Sequence, residues 1–182
     1  NASEMGPLVT RMHRDKVKAY VDLGVKEGAA LVVDGREFRQ AENPEGFFLG
    51  GCLFDKVSRN MQIYKEEIFG PVLSVIRAES FEEALSLPDE HEYGNGVAIF
   101  TRNGDVARNF ANKVQCGMVG INVPIPVPLS FHTFGGWKNS MFGDMNQHGP
   151  EGVRFYTRVK TVTARWREGI APKADFGMPL SR

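Results

Sequence analysis

The chain has 182 residues, of which 42% are hydrophobic and 24% charged, and its 22 lysines and arginines balance 22 aspartates and glutamates. This predicts a soluble globular chain with one hydrophobic core and argues against a nucleic-acid partner or an anionic membrane surface. No apolar stretch is long enough to span a bilayer. The two cysteines, Cys52 and Cys116, lack metal-ligand spacing and favour a reducing compartment: the cytoplasm, or alternatively the mitochondrial matrix.

The first half of the chain predicts one long helix and several short elements. Thr10 can cap a helix that closes near Gly28, because apolar residues recur between them at helical spacing. A short helical turn is expected after Ser58. The predicted strands are 31–33 and a strand over 47–49 and 52–54 that two glycines interrupt.

Strand and helix signals alternate from residue 72 to residue 123. Ser80 begins the Ser-x-x-Glu pattern of a capping box, and Pro88 is predicted to end the helix that follows. A second helix begins at Asn103 or Asp105. The other predicted elements are strands at 72–76, 97–100 and 118–123 and a turn at 93–96. This order predicts an α/β fold with a mostly parallel sheet and helices on both faces.

The last third of the chain leaves the predicted sheet. Pro124, Pro126 and Pro128 remove backbone donors at alternate positions, and a glycine-rich loop follows at 133–140. Residues 155–163 alternate like a strand with one polar face. The tail, 167–182, has no periodicity, so we expect it to be loose or to lie on a neighbouring molecule.

The stretch from Lys65 to Val72, Lys-Glu-Glu-Ile-Phe-Gly-Pro-Val, is the strongest candidate for chemistry. It places two acids, an aromatic ring and a Gly-Pro bend directly before a predicted buried strand, so that charge and a flat ring lie at the mouth of that strand. The alternative is a helix end with two solvated glutamates followed by a turn.

This stretch resembles the Glu-Glu-Ile-Phe-Gly-Pro-Val signature of the aldehyde dehydrogenase superfamily. The resemblance implies that Glu67 holds the nicotinamide ribose of NAD and that Phe69 flanks the cofactor. A carboxylate can accept from both hydroxyls of a diol, and an aromatic ring offers a flat apolar face. The run Phe134-Gly-Gly-x-Lys-x-Ser140 resembles the family's pocket loop, which implies that Phe134 lines the aldehyde pocket.

Two further runs, 122–128 and 142–154, resemble the CoA-acylating, methylmalonate-semialdehyde branch of the family. Thr133, where most members have proline, also favours this branch. The resemblance implies an enzyme that uses NAD and CoA to oxidise methylmalonate semialdehyde, or a similar small aldehyde, to an acyl-CoA. The alternatives are a CoA-independent NAD(P) aldehyde dehydrogenase and a non-catalytic folded or interaction module.

The resemblance also implies parts that this chain lacks, since family members carry a dinucleotide-binding domain and a nucleophilic cysteine upstream. Cys52 lies in an apolar run and Cys116 near a helix C-terminus, and neither is the setting of a reactive thiol, so both are expected to be buried and structural. We therefore expect no catalytic residue in this chain and no activity from it alone.

The expected organisation has three parts. Residues 1–153 form the C-terminal part of the catalytic domain, 154–166 an oligomerisation strand and 167–182 the tail. The strand implies a homo-oligomer, a dimer or tetramer in the parent enzyme. The four histidines share no ligand spacing, so no metal site is expected, and only His132, beside the pocket loop, has a candidate role.

Overall fold

The computed structural model describes residues 5–166, and the predicted tail lies outside them. In chain order their elements are α1 (Arg11–Lys26), β1 (Ala30–Val33), β2 (Cys52–Asp55), α2 (Gln62–Lys65), β3 (Val72–Ser74), α3 (Phe81–Glu90), β4 (Tyr93–Gly94), β5 (Gly96–Ile99), α4 (Gly104–Lys113), β6 (Met118–Ile121), β7 (Trp137–Lys138) and α5 (Pro150–Tyr156). This is the mixed α/β class that the sequence predicts. No helix among them is both long and apolar enough to cross a membrane.

The strands of the described region lie in three small sheets, two of which contain a parallel pair. Strands β1, β2 and β3 lie side by side in that order, with β1 antiparallel and β3 parallel to β2. Strands β5 and β6 form a parallel pair that α4 connects, and β4 pairs antiparallel with β7. Alternating helix and strand signals predict that strands exist, but they do not specify which strands pair.

The helix starts follow from local capping. The Thr10 hydroxyl accepts a hydrogen bond from the backbone N–H of His13 at 3.1 Å, as predicted. The Ser80 hydroxyl likewise accepts from the N–H of Glu83 at 3.0 Å. Asn103 caps α4 through its side-chain oxygen. At the end of α1, Gly28 has φ +96°, a conformation that glycine adopts without strain.

Four predicted elements differ from the structure. Residues 47–49 form no strand, and the Phe47 carbonyl instead accepts a hydrogen bond from the N–H of Leu8 at 3.0 Å. Pro88 does not end α3, because in the last turn it removes only one helical hydrogen bond. The predicted turn at 93–96 contains β4, which pairs with a strand that the pattern did not reveal.

The predicted strand at 155–163, and with it the oligomerisation strand at 154–166, is also not observed. Residues up to Tyr156 belong to α5, and 157–166 have no regular secondary structure and are exposed. The alternating pattern is present in the sequence, but within residues 5–166 no strand lies beside it.

Two hydrophobic cores hold the elements together. In the first, α1 packs against the three-stranded sheet and fully buries Val17, Val21 and Phe54. In the second, α3 and α4 pack on the β5–β6 pair through Leu85, Phe110, Val114 and Cys116. Fully burying an aliphatic or phenyl side chain stabilises a fold by roughly 1.5 to 3 kcal/mol.

The glycine-rich loop is seated beside the second core by a close backbone approach. A Cβ at Gly117 would lie 2.0 Å from the carbonyl oxygen of Gly135. Only glycine allows this contact, so Gly117 fixes how closely the loop at 133–140 approaches strand β6.

Candidate functional site

The stretch at 65–72 connects α2 to β3 and is held against α1. Ile68 is buried in the first core, and a Cβ at Gly70 would lie 2.7 Å from the methyl carbons of Val17. The hydroxyl of Tyr20 donates a hydrogen bond to the Glu66 carboxylate, and this bond raises the pKa of Tyr20. The stretch is therefore a packed part of the structure.

The two adjacent glutamates differ in their partners. Glu66 is engaged by Tyr20, whereas the exposed Glu67 side chain has no hydrogen bond or ion pair with any residue in the range 5–166. Its carboxylate borders a cavity of about 720 Å³, whose other lining residues include Lys16, Tyr93, Asn95 and Ser140. The Glu67 oxygens are thus available to a ligand.

Phe69 lies outside the lining of that cavity and is 74% exposed. Its φ of +57° is unusual for a bulky residue. Its carbonyl accepts a hydrogen bond from Nε2 of His13 at 2.6 Å, and the two rings meet edge to face with centroids 6.1 Å apart. The aromatic face of Phe69 is therefore open, on a backbone that His13 holds.

Phe134 lines a second cavity, of about 370 Å³. Its ring stacks on the His148 imidazole, with centroids 4.2 Å apart and planes within 4° of parallel. Asn95 and Ser140 border both this cavity and the one beside Glu67, so the two cavities adjoin at these residues. The structure thus brings Glu67 and Phe134 to neighbouring spaces.

Lys138 fixes the glycine-rich loop to the end of α3. Its ammonium donates to the carbonyls of Pro88, Asp89 and His91 at 2.8, 2.9 and 3.0 Å. These carbonyls lie at a helix C-terminus, where intrahelical donors run out and a positive charge is favourable. The φ of Lys138 is +54°.

Backbone pairing completes this attachment. Strand β7 pairs with β4, and the Ser140 hydroxyl accepts from the N–H of Gly94 at 3.1 Å. Thr133 accepts a hydrogen bond from the Asn146 side chain at 3.2 Å. Proline has no side-chain acceptor and could not make the latter contact.

The remaining candidate residues lie elsewhere. Cys52 and Cys116 are free and buried, one in each core. His132 packs on Phe131 and lines neither cavity, so the histidine beside Phe134 is His148. No group of three potential metal ligands occurs among the described residues.

Sequence reasoning missed several residues of this site. Asn95 was part of an apparent turn, His13 did not stand out from the polar positions of α1, and Tyr20 was counted among the apolar positions of that helix. Ser140 belongs to the glycine-rich run, which could have drawn attention to it. No spacing in the sequence indicates that His148 stacks on Phe134.

The family model "Aldehyde dehydrogenase family" matches residues 1–162 of this chain. Malonate-semialdehyde dehydrogenase of Pseudomonas aeruginosa is 56% identical over 177 residues, which are 97% of this chain and 36% of that protein. The enzyme of the same name from Halalkalibacterium halodurans is 48% identical over 89% of this chain and 33% of its own length. The chain thus spans about a third of these relatives.

The chain is also similar to solved structures of semialdehyde dehydrogenases. A crystal structure from Sinorhizobium meliloti 1021, described as a methylmalonate-semialdehyde dehydrogenase complexed with NAD, is 60% identical, with a TM-score of 0.89 over 92% of this chain and 34% of that one. Methylmalonate-semialdehyde dehydrogenase from Oceanimonas doudoroffii is 51% identical, with a TM-score of 0.90 over 93% of this chain and 35% of its own.

The cap formed by Lys138 predicts a measurable stability effect. Lys138→Met keeps most of the side-chain volume but removes three charge-assisted hydrogen bonds, so the free energy of unfolding should fall by roughly 1 to 3 kcal/mol. Lys113→Met is the matched control, because the Lys113 side chain, in the last turn of α4, bonds to no residue in 5–166. Urea denaturation of both variants measures the difference, and equal effects would show that the cap contributes nothing.

Proposed function

The chain belongs to the aldehyde dehydrogenase family, and we propose that it forms the C-terminal part of the catalytic domain of an NAD-dependent, CoA-acylating semialdehyde dehydrogenase. The proposed substrate is malonate semialdehyde or its methyl derivative, in keeping with the names of the similar proteins. When bound, NAD accepts the aldehyde hydrogen as a hydride, while CoA takes the acyl group and loses its thiol proton.

The carboxylate of Glu67, which has no hydrogen-bond or ion-pair partner within residues 5–166, carries the proposal. It borders the larger cavity, while the neighbouring Glu66 is occupied by Tyr20. A carboxylate without a protein partner can accept hydrogen bonds from both hydroxyls of a ribose at once. The residues present therefore fit the sugar of a nicotinamide nucleotide, and Glu67 would hold it in place.

Two aromatic residues would complete the binding surfaces. The open face of Phe69 offers a flat apolar contact to the cofactor, since desolvating an aromatic surface against a planar ring is favourable. Phe134 would form the wall of the aldehyde pocket, held by its stack on His148. Asn95 and Ser140, where the two cavities adjoin, supply polar groups between cofactor and aldehyde.

We place the reactive cysteine outside this chain. A nucleophilic thiol needs access to substrate and a lowered pKa, and both Cys52 and Cys116 are buried among apolar side chains. Two free, buried cysteines also fit the reducing environment of the cytoplasm or the mitochondrial matrix.

The reaction itself is tested with the complete enzyme. With malonate or methylmalonate semialdehyde and NAD, we expect NADH formation that depends on CoA, together with an acyl-CoA detectable by mass spectrometry. If NADH forms at the same rate without CoA and the product is the free acid, the CoA-independent alternative is correct. No NADH with any short aldehyde would exclude the dehydrogenase.

Glu67→Gln in the complete enzyme tests the cofactor site. The amide keeps the shape but loses the charge, and a hydrogen bond to a charged group contributes about 1.5 to 3 kcal/mol, so the Kd for NAD should rise roughly tenfold to a hundredfold. The pre-steady-state NADH burst should shrink while the thermal midpoint stays the same. Glu42→Gln removes the same charge from an exposed loop and should leave both cofactor measures unchanged. A normal Kd and burst with a lowered midpoint would make Glu67 a structural residue.

We also propose that residues 157–166 mediate self-association, giving a homo-oligomer. The segment is exposed along its whole length and presents Val159, Val162 and Trp166 to solvent. Exposed apolar residues in an extended segment are typical of a surface that another chain covers. A second copy is the proposed partner.

Deleting residues 158–182 keeps α5 and its C-cap residue Thr157, and should lower the oligomer mass measured by light scattering. The double substitution Val159→Ser and Val162→Ser should shift the mass in the same direction, because it removes apolar surface from the contact. If both proteins keep the wild-type mass, the segment takes no part in assembly.

A further inference from the structure

We propose that His13 is a positioning residue for the cofactor site: its Nε2–H holds the Phe69 carbonyl and so fixes the backbone that presents both Glu67 and Phe69. This inference rests on the proposed function, because it assigns His13 a role in NAD binding through the residues that would contact the nucleotide. It concerns a residue of α1 that lies outside the lining of both cavities.

One face of α1 holds the stretch on both sides of Glu67. His13, Val17 and Tyr20 are four and three residues apart and therefore lie on the same side of the helix. Tyr20 donates to the Glu66 carboxylate, which precedes Glu67. Val17 packs against Gly70, and His13 bonds to Phe69, both of which follow it. The residues before and after Glu67 are therefore both held by the same helix, α1.

The His13 contact acts where the backbone is strained. Phe69 has φ +57°, a left-handed conformation that its Cβ disfavours, so the surrounding contacts must over-determine it. Within residues 5–166 the carbonyl of Phe69 has the hydrogen bond from His13 at 2.6 Å and no other. Without this bond, the Phe69 carbonyl has no hydrogen-bond donor within residues 5–166, and relaxation of the left-handed conformation would move Phe69 and its neighbours.

The hydrogen bond between His13 and Phe69 requires that His13 be the donor. A carbonyl oxygen only accepts, so Nε2 of His13 must carry the hydrogen, which both the neutral tautomer with Nε2–H and the imidazolium allow. The backbone of His13 is itself fixed, because its N–H donates to the Thr10 hydroxyl in the helix cap. A side chain at position 13 therefore needs a hydrogen-bond donor at about the same distance from the backbone. An apolar side chain cannot donate to the Phe69 carbonyl.

The test uses the complete enzyme with two variants that lack a donor, His13→Ala and His13→Leu, and one that restores a donor, His13→Gln. Losing one hydrogen bond corresponds to a rise in the Kd for NAD of roughly threefold to tenfold. We expect this rise in the Ala and Leu variants, and a Kd near the wild-type value in the Gln variant. His13→Leu retains the side-chain volume and serves where His13→Ala does not fold.

Three further readouts separate positioning from simple structural support. A crystal structure of a donor-less variant should show the φ of Phe69 outside the left-handed region. The thermal midpoints of His13→Leu and His13→Gln should agree, although their NAD affinities differ. His132→Ala, a histidine in neither cavity, should leave the NAD affinity unchanged.

Two outcomes would overturn the inference: a wild-type NAD affinity in His13→Leu, or equal losses of affinity in His13→Leu and His13→Gln. Glu67→Gln, measured in parallel, keeps this failure distinct from failure of the proposed function. If Glu67→Gln weakens NAD binding and His13→Leu does not, only the positioning role is wrong. If Glu67→Gln has no effect on NAD binding, the proposed cofactor site itself is wrong.

Discussion

The carbonyl groups at the end of helix α3 impose the constraint on which the site depends. A helix C-terminus leaves its last carbonyls without intrahelical donors, and they need partners from elsewhere. Lys138, about fifty residues further along the chain, supplies three hydrogen bonds to them from one ammonium group. The same residue lies in β7, which pairs with β4, so satisfying the helix end also places the glycine-rich loop. Asn95 and Ser140 border both cavities as a result.

The site is therefore assembled from three segments that are distant in sequence and held by different means. Hydrophobic packing and the polar contacts of α1 hold the segment with Glu67, while the Lys138 cap and strand pairing hold the segment with Phe134. Asn95 lies between them in the connection from β4 to β5. A change in one support would move one wall of the paired cavities and leave the other in place, so the proposed contacts to cofactor and to aldehyde can be tested separately.

The extent to which sequence predicted the structure depends on the distance between interacting residues. The caps at Thr10, Ser80 and Asn103 were predictable, because each side chain bonds to a backbone N–H two or three residues away. Glu67 and Phe134 were identified only through resemblance to a family. The contacts of Lys138 and His13 span about fifty residues, so no local pattern encodes them. The arrangement of the strands in sheets could not be predicted for the same reason. Alternating residues indicate that a strand is present, but they do not indicate which strand lies beside it.

Backbone strain is present at two of the positions where these long-range contacts act. Of the four non-glycine residues with positive φ in the described region, Phe69 and Lys138 both belong to the candidate site. Such a conformation costs about 1 to 3 kcal/mol and persists only where other contacts outweigh it. His13 supplies such a contact at Phe69, and the helix end supplies it at Lys138. Phe69 follows the run with Glu66 and Glu67, which line the larger cavity, and Lys138 lies within the glycine-rich run that borders both cavities. At both positions a contact from about fifty residues away offsets the strain, whereas an unconstrained loop would relax.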